Sequence, residues 1–137
     1  NVTAKIALHL IPEQLKSQSV FLCIDDTMIS KFGTKFENVS KLFDHAAHNG
    51  CNYLSGHCFV SLMLCAHGNN DKIAYLAVPL GYRMWQKKGS KLELAASMAR
   101  QVMPEFSSQK NVIILCDSWY TKQNLVSIVE EYLLMLL

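Results

Sequence analysis

Short runs of apolar residues recur along the chain and predict the strands of a sheet. Residues 19–25 (SVFLCID) and 111–117 (NVIILCD) are apolar at almost every position until an acidic residue ends them. Runs this short and this apolar are typical of strands covered on both faces. We therefore expect two interior strands, each ending in aspartate.

Two longer apolar segments predict an antiparallel hairpin. Residues 57–66 (HCFVSLMLCA) and 72–85 (KIAYLAVPLGYRMW) flank the turn-forming sequence HGNND at 67–71. Pro79 and Gly81 lie inside the second segment. Because proline cannot donate a ladder hydrogen bond, they predict an edge position or a bulge there.

The remaining pattern predicts helices near both ends and a long loop. Ser90 and Glu93 form a capping box before an apolar pattern of helical spacing, and this helix is expected to end near Pro104. Thr121 is the expected cap of a last amphipathic helix that reaches Tyr132. The loop is predicted over 26–56, and 1–18 is predicted to be a short helix or connector interrupted by Pro12.

The predicted order, β-loop-β-β-α-β-α, favours an α/β fold with a mixed sheet. Three strands that can pair antiparallel precede a helical crossover, and a crossover strand normally returns parallel. If the fourth strand returns beside the first, the arrangement is ribonuclease H-like. We expect 1–18 to be an N-terminal connector and 19–137 to be one partial ribonuclease H-like domain.

Composition narrows the class of protein. A chain of 137 residues, half of them apolar, suits one folded domain, and a net charge of +2 does not by itself indicate nucleic acid. Five cysteines without a CxxC pair favour reduced thiols in the cytoplasm. The apolar run at 58–66 is too short to cross a membrane, and no signal peptide is visible. Since the first residue is Asn1, we expect a piece of a larger protein.

The two strand-ending aspartates are the main candidate for chemistry. Asp25 and Asp117 each close an apolar run, and adjacent strands lie about 4.8 Å apart, so the two carboxylates are expected to face each other. Carboxylates at that range repel unless a cation binds both. Oxygen ligands suit Mg²⁺ or Mn²⁺, and paired ions of this kind assist phosphoryl transfer. Ordinary strand-end or capping roles are the alternative.

Three motifs resemble those of the insertion-sequence DDE transposases. The first is Ile24-Asp25-Asp26-Thr27 with trailing Lys31 and Gly33. The second is Asp44-His45 followed by Gly56-His57 and an apolar strand, and the third runs from Val112 to Tyr120 with the sequence VIILCDSWY. The resemblance extends over about residues 19 to 132.

The resemblance implies a DNA transposase catalytic core that cleaves phosphodiesters and transfers strands at transposon ends. It makes Asp25 the first catalytic and metal-binding carboxylate, Asp26 its second choice, and Asp117 the second carboxylate. Such enzymes take a third ligand, a glutamate, from a later helix. Glu130 and Glu131 come too early to match it, so we expect an incomplete site. The resemblance also implies Mg²⁺ or Mn²⁺, a homodimer when full length, and a bacterial, nucleoid-associated location.

A basic cluster is the candidate surface for DNA phosphates. Its members lie between the third strand and the following helix: Arg83, Lys87, Lys88 and Lys91. A solvated loop is the alternative for the cluster. Lys31, Lys35 and Lys41 allow the same two interpretations.

Two other functions remain open at this point. A phospho-acceptor receiver domain also gathers Mg²⁺ with paired acids after its first strand, but it alternates β and α from the start. A transposase remnant that only folds or binds DNA is the third hypothesis.

Overall fold

The computed structural model describes residues 1–12, 15, 19–33, 35–44, 52–67, 75–106, 111–132 and 135–136. Its helices are α1 (Val2–Leu10), α2 (Lys91–Val102) and α3 (Gln123–Glu131), with 3₁₀ turns at Met103–Phe106 and Ser118–Tyr120. Its strands are β1 (Val20–Ser30), β2 (Ser40–Phe43), β3 (Tyr53–His67), β4 (Tyr75–Trp85), β5 (Val112–Cys116) and β6 (Met135–Leu136). No helix among the described residues is long and apolar enough to span a membrane.

The strands form one mixed sheet in the order β2-β3-β1-β5-β6. The strand β3 is antiparallel to β1 along one side, while β2 and β4 lie end to end along its other side. The chain then crosses over through α2, and β5 returns parallel to β1, from Val20↔Val112 to Ile24↔Cys116. The expected α/β fold with a mixed sheet is confirmed.

The prediction that 26–56 is a loop was wrong at both ends. The strand β1 continues to Ser30, in an unbroken antiparallel register with β3 that ends at Ser30↔Gly56. Asp25, Asp26 and Thr27 therefore lie inside a strand although aspartate is a poor strand former, because pairing with β3 outweighs local propensity. The short strand β2 also falls in the predicted loop.

The hairpin of β3 and β4 carries the expected bulge. Leu62 pairs with Gly81 and Met63 with Pro79, which leaves Leu80 as an extra residue on β4. Leu80 is buried, so the bulge turns an additional apolar side chain into the core. Most of the predicted turn at 67–71 lies outside the described residues.

The helices begin and end for recognisable local reasons. The capping box of Ser90 and Glu93 is present at the start of α2. The expected cap at Thr121 was wrong: α3 begins after Lys122, and the Thr121 hydroxyl donates to the carbonyl of Ser118 instead. The helix α1 stops before Pro12, and its Ala4 and Ala7 are buried in the common core.

The two faces of the sheet differ. Val20, Leu22 and Ile24 alternate towards a core that also contains buried residues of α1, α2 and α3. On the opposite face, Asp25 and Thr27 are exposed. We call this second surface the open face.

Candidate functional site

Asp25 and Asp117 lie at neighbouring positions where the parallel ladder ends. The last pair of that ladder is Ile24↔Cys116, so these two aspartates are the next residue on each strand. Asp117 keeps an extended backbone (φ −61°, ψ 148°), which continues the alternation of sides by one residue. Both carboxylates are exposed, and alternation assigns both to the open face. The sequence-based expectation that strand pairing makes them neighbours agrees with this register.

Short-range hydrogen bonds orient each of these carboxylates. The Asp25 carboxylate accepts a 2.8 Å bond from the backbone N–H of Asp26. The Asp117 carboxylate accepts from the Ser118 hydroxyl at 3.0 Å and from the backbone N–H of Trp119 at 3.3 Å. Asp117 thus caps the 3₁₀ turn after β5 and retains acceptor capacity for a further ligand.

Asp26 occupies a different environment on the helix-covered face. One carboxylate oxygen accepts from the Lys91 ammonium at 2.6 Å and from the Cys58 thiol at 3.3 Å. The other oxygen accepts from the Tyr120 hydroxyl at 3.0 Å. These contacts join β1, β3, the start of α2 and the 3₁₀ turn after β5. We call these four residues the Asp26 cluster.

The charges in the Asp26 cluster have opposing effects on its pKa values. Burial raises the pKa of Asp26, but the hydrogen bond and charge of Lys91, with smaller contributions from Tyr120 and Cys58, hold that pKa below its usual value. Burial, reinforced by the Asp26 carboxylate, raises the pKa of Tyr120 well above that of free tyrosine. Burial likewise raises the pKa of Cys58 to about 11. The cluster therefore holds an ionised Asp26 next to neutral Tyr120 and Cys58 at neutral pH.

Lys91 is held in place by aromatic rings as well as by Asp26. Its ammonium lies 4.9 Å from the ring centre of Trp119 and 5.8 Å from that of Trp85. The Lys91 and Asp26 side chains are only 20% and 19% exposed. Asp26, whose two oxygens already accept three hydrogen bonds, has less capacity for a metal than Asp25.

The predicted basic cluster is divided among separate partners in the structure. The Arg83 guanidinium donates to the Gln101 side chain at 2.6 Å, over α2. The Lys87 ammonium donates to the carbonyl of Lys41 at 2.6 Å, next to β2. Lys88 is exposed, and Lys91 is bound to Asp26. These four side chains do not converge on one point.

Sequence reasoning named Lys41 as a candidate DNA contact but missed the aromatic rings that lie beside it at the β2 end of the open face. Phe43 and Tyr53 are paired across β2 and β3, and their rings meet edge to face at 5.2 Å between centres. The Lys41 ammonium lies 4.6 Å from the centre of the Tyr53 ring. The alternation of Lys41, Leu42 and Phe43 was the available signal, but four residues are too few to distinguish a strand from a loop.

Two further features lie away from the carboxylates. A cavity of about 480 Å³ between α2 and α3 is lined by polar and small side chains, among them Glu93, Arg100 and Gln123. On the open face near β5, the thiols of Cys23 and Cys65 are 3.6 Å apart, and burial raises the pKa of Cys23 to about 12. All the described cysteines are free.

Asp25 and Asp117 offer carboxylate oxygens as possible ligands. Oxygen ligands of this kind are the ones that Mg²⁺ or Mn²⁺ prefers. Within the described ranges, no group of three or more histidine, cysteine or acidic side chains is placed to hold a metal. Comparison of the chain with models of protein families, with curated proteins and with solved structures gave no match.

Proposed function

We propose that this chain is part of the catalytic core of a DDE-type DNA transposase with a ribonuclease H-like fold. The observation that carries the proposal is the parallel ladder of β1 and β5, because Asp25 and Asp117 directly follow its last pair, Ile24↔Cys116, and are both exposed. The antiparallel β1 and β3 and the crossover through α2 accord with the same fold. The DNA-transposase motifs described above add to this argument.

The proposed roles of the residues follow from the two environments of the aspartates. Asp25 and Asp117 are the exposed carboxylates that would hold Mg²⁺ or Mn²⁺. At these carboxylates Mg²⁺ or Mn²⁺ would supply the chemistry of phosphoryl transfer, namely activation of a water or a 3′-hydroxyl and stabilisation of the leaving oxygen. Asp26 acts as a positioning residue, because its bonds to Lys91 and Tyr120 fix β1 against the start of α2 and the turn that follows Asp117.

The receiver-domain hypothesis has no comparable observation in its favour. A receiver alternates strands and helices from its first strand, whereas β1 here pairs antiparallel with β3, and β3 with β4. A remnant without activity shares the transposase fold, so only a measurement on the site separates the two.

Calorimetric titration with Mn²⁺ tests the proposal directly. We expect wild-type protein to bind Mn²⁺ weakly, and Asp25→Ala and Asp117→Ala each to lose that binding, because the two carboxylates share the cation. Glu130→Ala removes an exposed carboxylate from α3 and is the matched control, which should bind as wild type does. Asp26→Asn should retain most of the binding.

Three outcomes would count against these assignments. Absence of binding at millimolar Mn²⁺ would favour the inactive remnant. Loss of binding only in Asp26→Asn would transfer the ligand role from Asp25 to Asp26. Equal loss in Glu130→Ala would show that the binding is unspecific.

A further inference from the structure

The open face continues from the carboxylates to the aromatic and basic group at β2. Asp25 pairs with Ser61 and Lys41 pairs with Ser55, so the two rows of paired residues that contain them lie six positions apart along β3. At the rise of a strand this is about 20 Å, a length that a few nucleotides span. Thr27 and His57 lie between the two rows, and alternation assigns both to the open face.

Planar rings with adjacent cations are exposed at this end of the face. The Tyr53 side chain is 52% exposed and that of Phe43 is 42% exposed. Lys41 lies over Tyr53, and Lys87 is anchored on the carbonyl of Lys41. We call these four residues the β2 platform.

A second pair of a ring and a cation, Phe36 and Lys31, precedes the β2 platform in the sequence. Phe36 is exposed, and the Lys31 ammonium is 5.3 Å from the centre of its ring. Lys31 is joined to β3 by its backbone N–H, which donates to the carbonyl of Ser55 beside Lys41. The positive charge of three lysines is thus distributed around exposed aromatic rings.

These observations favour an unpaired nucleic acid strand as the occupant. Phosphates are attracted to the lysines, and each unpaired base can stack on an exposed ring. In a duplex the bases are stacked on one another inside the helix, so the rings would gain nothing from it. An apolar protein partner fits poorly, because lysines lie over the rings.

We propose that the β2 platform binds an unpaired DNA strand whose continuation reaches Asp25 and Asp117. This proposal depends on the proposed function in two respects: that the bound strand is DNA, and that it extends to the carboxylates of Asp25 and Asp117. Tyr53 and Phe43 stack on bases, and Lys41 and Lys87 contact phosphates.

Fluorescence anisotropy with a labelled single strand of twelve thymidines tests the proposal, in low salt with EDTA so that no metal contributes. We expect wild-type protein to bind the single strand at least about tenfold more tightly than the matching duplex, since stacking requires unpaired bases. Tyr53→Leu should weaken binding about tenfold, while Tyr53→Trp restores it, because leucine keeps apolar bulk but cannot stack. Circular dichroism checks that each variant remains folded.

The lysine contribution has a separate signature in the salt dependence. Lys41→Gln should reduce the slope of log affinity against log salt by about 0.7, the contribution of one phosphate contact on a single strand. Lys5→Gln, an exposed lysine on α1, is the matched control and should leave the slope unchanged.

Equal binding of wild type and Tyr53→Leu, equal binding of single strand and duplex, or no binding of either DNA by wild type would each overturn the proposal. The Mn²⁺ titration separates this failure from that of the proposed function. Metal binding without single-strand binding would overturn the β2 platform alone, and the converse would overturn the metal site alone.

Discussion

Two consecutive aspartates of β1, Asp25 and Asp26, have the same side chain but differ in exposure and in hydrogen-bond partners. Asp25 is exposed on the open face, while Asp26 is enclosed by Lys91, Tyr120 and Cys58 on the other. The difference arises from the period of two in a strand, which sends successive side chains to opposite faces. An exposed carboxylate can exchange water for a ligand, whereas Asp26 is already satisfied by donors.

Replacement of Lys91 should reveal how much the Asp26 cluster contributes to stability. We expect Lys91→Met to lower the free energy of unfolding by about 1–3 kcal/mol, because it leaves a half-buried carboxylate without its cation. Lys88→Met, an exposed lysine of the same segment, should change it by less than about 0.5 kcal/mol. Urea unfolding monitored by circular dichroism measures both, and equal effects would show that the ion pair contributes nothing.

The lowered pKa of Asp26 also predicts a dependence of stability on pH. In the unfolded chain an aspartate has a pKa of about 3.9, and in the folded protein the pKa of Asp26 is lower. The folded state therefore binds fewer protons. The stabilisation that ionised Asp26 contributes is fully present above the pKa of the unfolded chain, and it is lost as pH falls through the lower pKa of the folded protein. The stability difference between wild type and Asp26→Asn should therefore narrow from pH 6 towards pH 2, measured by urea midpoints. Parallel curves would contradict the assignment.

At the scale of elements, β3 organises the sheet because it contacts three other strands along its length. It pairs with β1 on one side and with β2 and β4 in succession on the other. Gly56 lies near the position at which the partner of β3 changes from β2 to β4. On the other side it pairs with Ser30 at the end of β1. A Cβ at this glycine would overlap the carbonyl oxygen of Ile29, so the two backbones approach too closely for any other residue.

Substitution of this glycine should therefore weaken the sheet. We expect Gly56→Ala to lower the free energy of unfolding by about 1–3 kcal/mol, because the added methyl group pushes β1 and β3 apart. Gly81→Ala is the matched control, since its Cβ would meet only the Met98 methyl group at 3.8 Å, an ordinary contact. Thermal unfolding compares the two variants, and similar midpoints would show that β1 and β3 adjust without cost.

The elements differ in how far sequence alone predicted them. The capping box of Ser90 and the bulge near Pro79 were predictable because each depends on residues within a few positions. The end of β1 at Ser30 was not, because Asp25 and Asp26 are poor strand formers held there by β3. The sequence indicated that Asp25 and Asp117 are neighbours and named Lys41 and Lys87 as candidate DNA contacts. It did not reveal the ion pair of Asp26 and Lys91 or the exposed rings of Phe43 and Tyr53, which depend on contacts between distant segments.

At the scale of the molecule, the packed core and the candidate functional residues lie on opposite faces of the sheet. Its helix-covered face contains the core, including Leu22, Leu64 and Ile114, and the Asp26 cluster at the edge of that core. Its open face holds the two exposed carboxylates and, about 20 Å along β3, the β2 platform. Substitutions on the open face can therefore test function while leaving the packing of the core intact.

The parallel pairing of β1 with β5 also has a consequence for the order of folding. Val20 pairs with Ala66 of β3 and also with Val112 of β5, and the second partner is much more distant along the chain. Contacts between residues so distant along the chain carry the largest loop-closure entropy and tend to form late. Asp25 thus acquires its neighbour Asp117 only when β5 docks. We therefore expect the pair to form late, and a chain arrested before β5 docks would hold Asp25 without its partner.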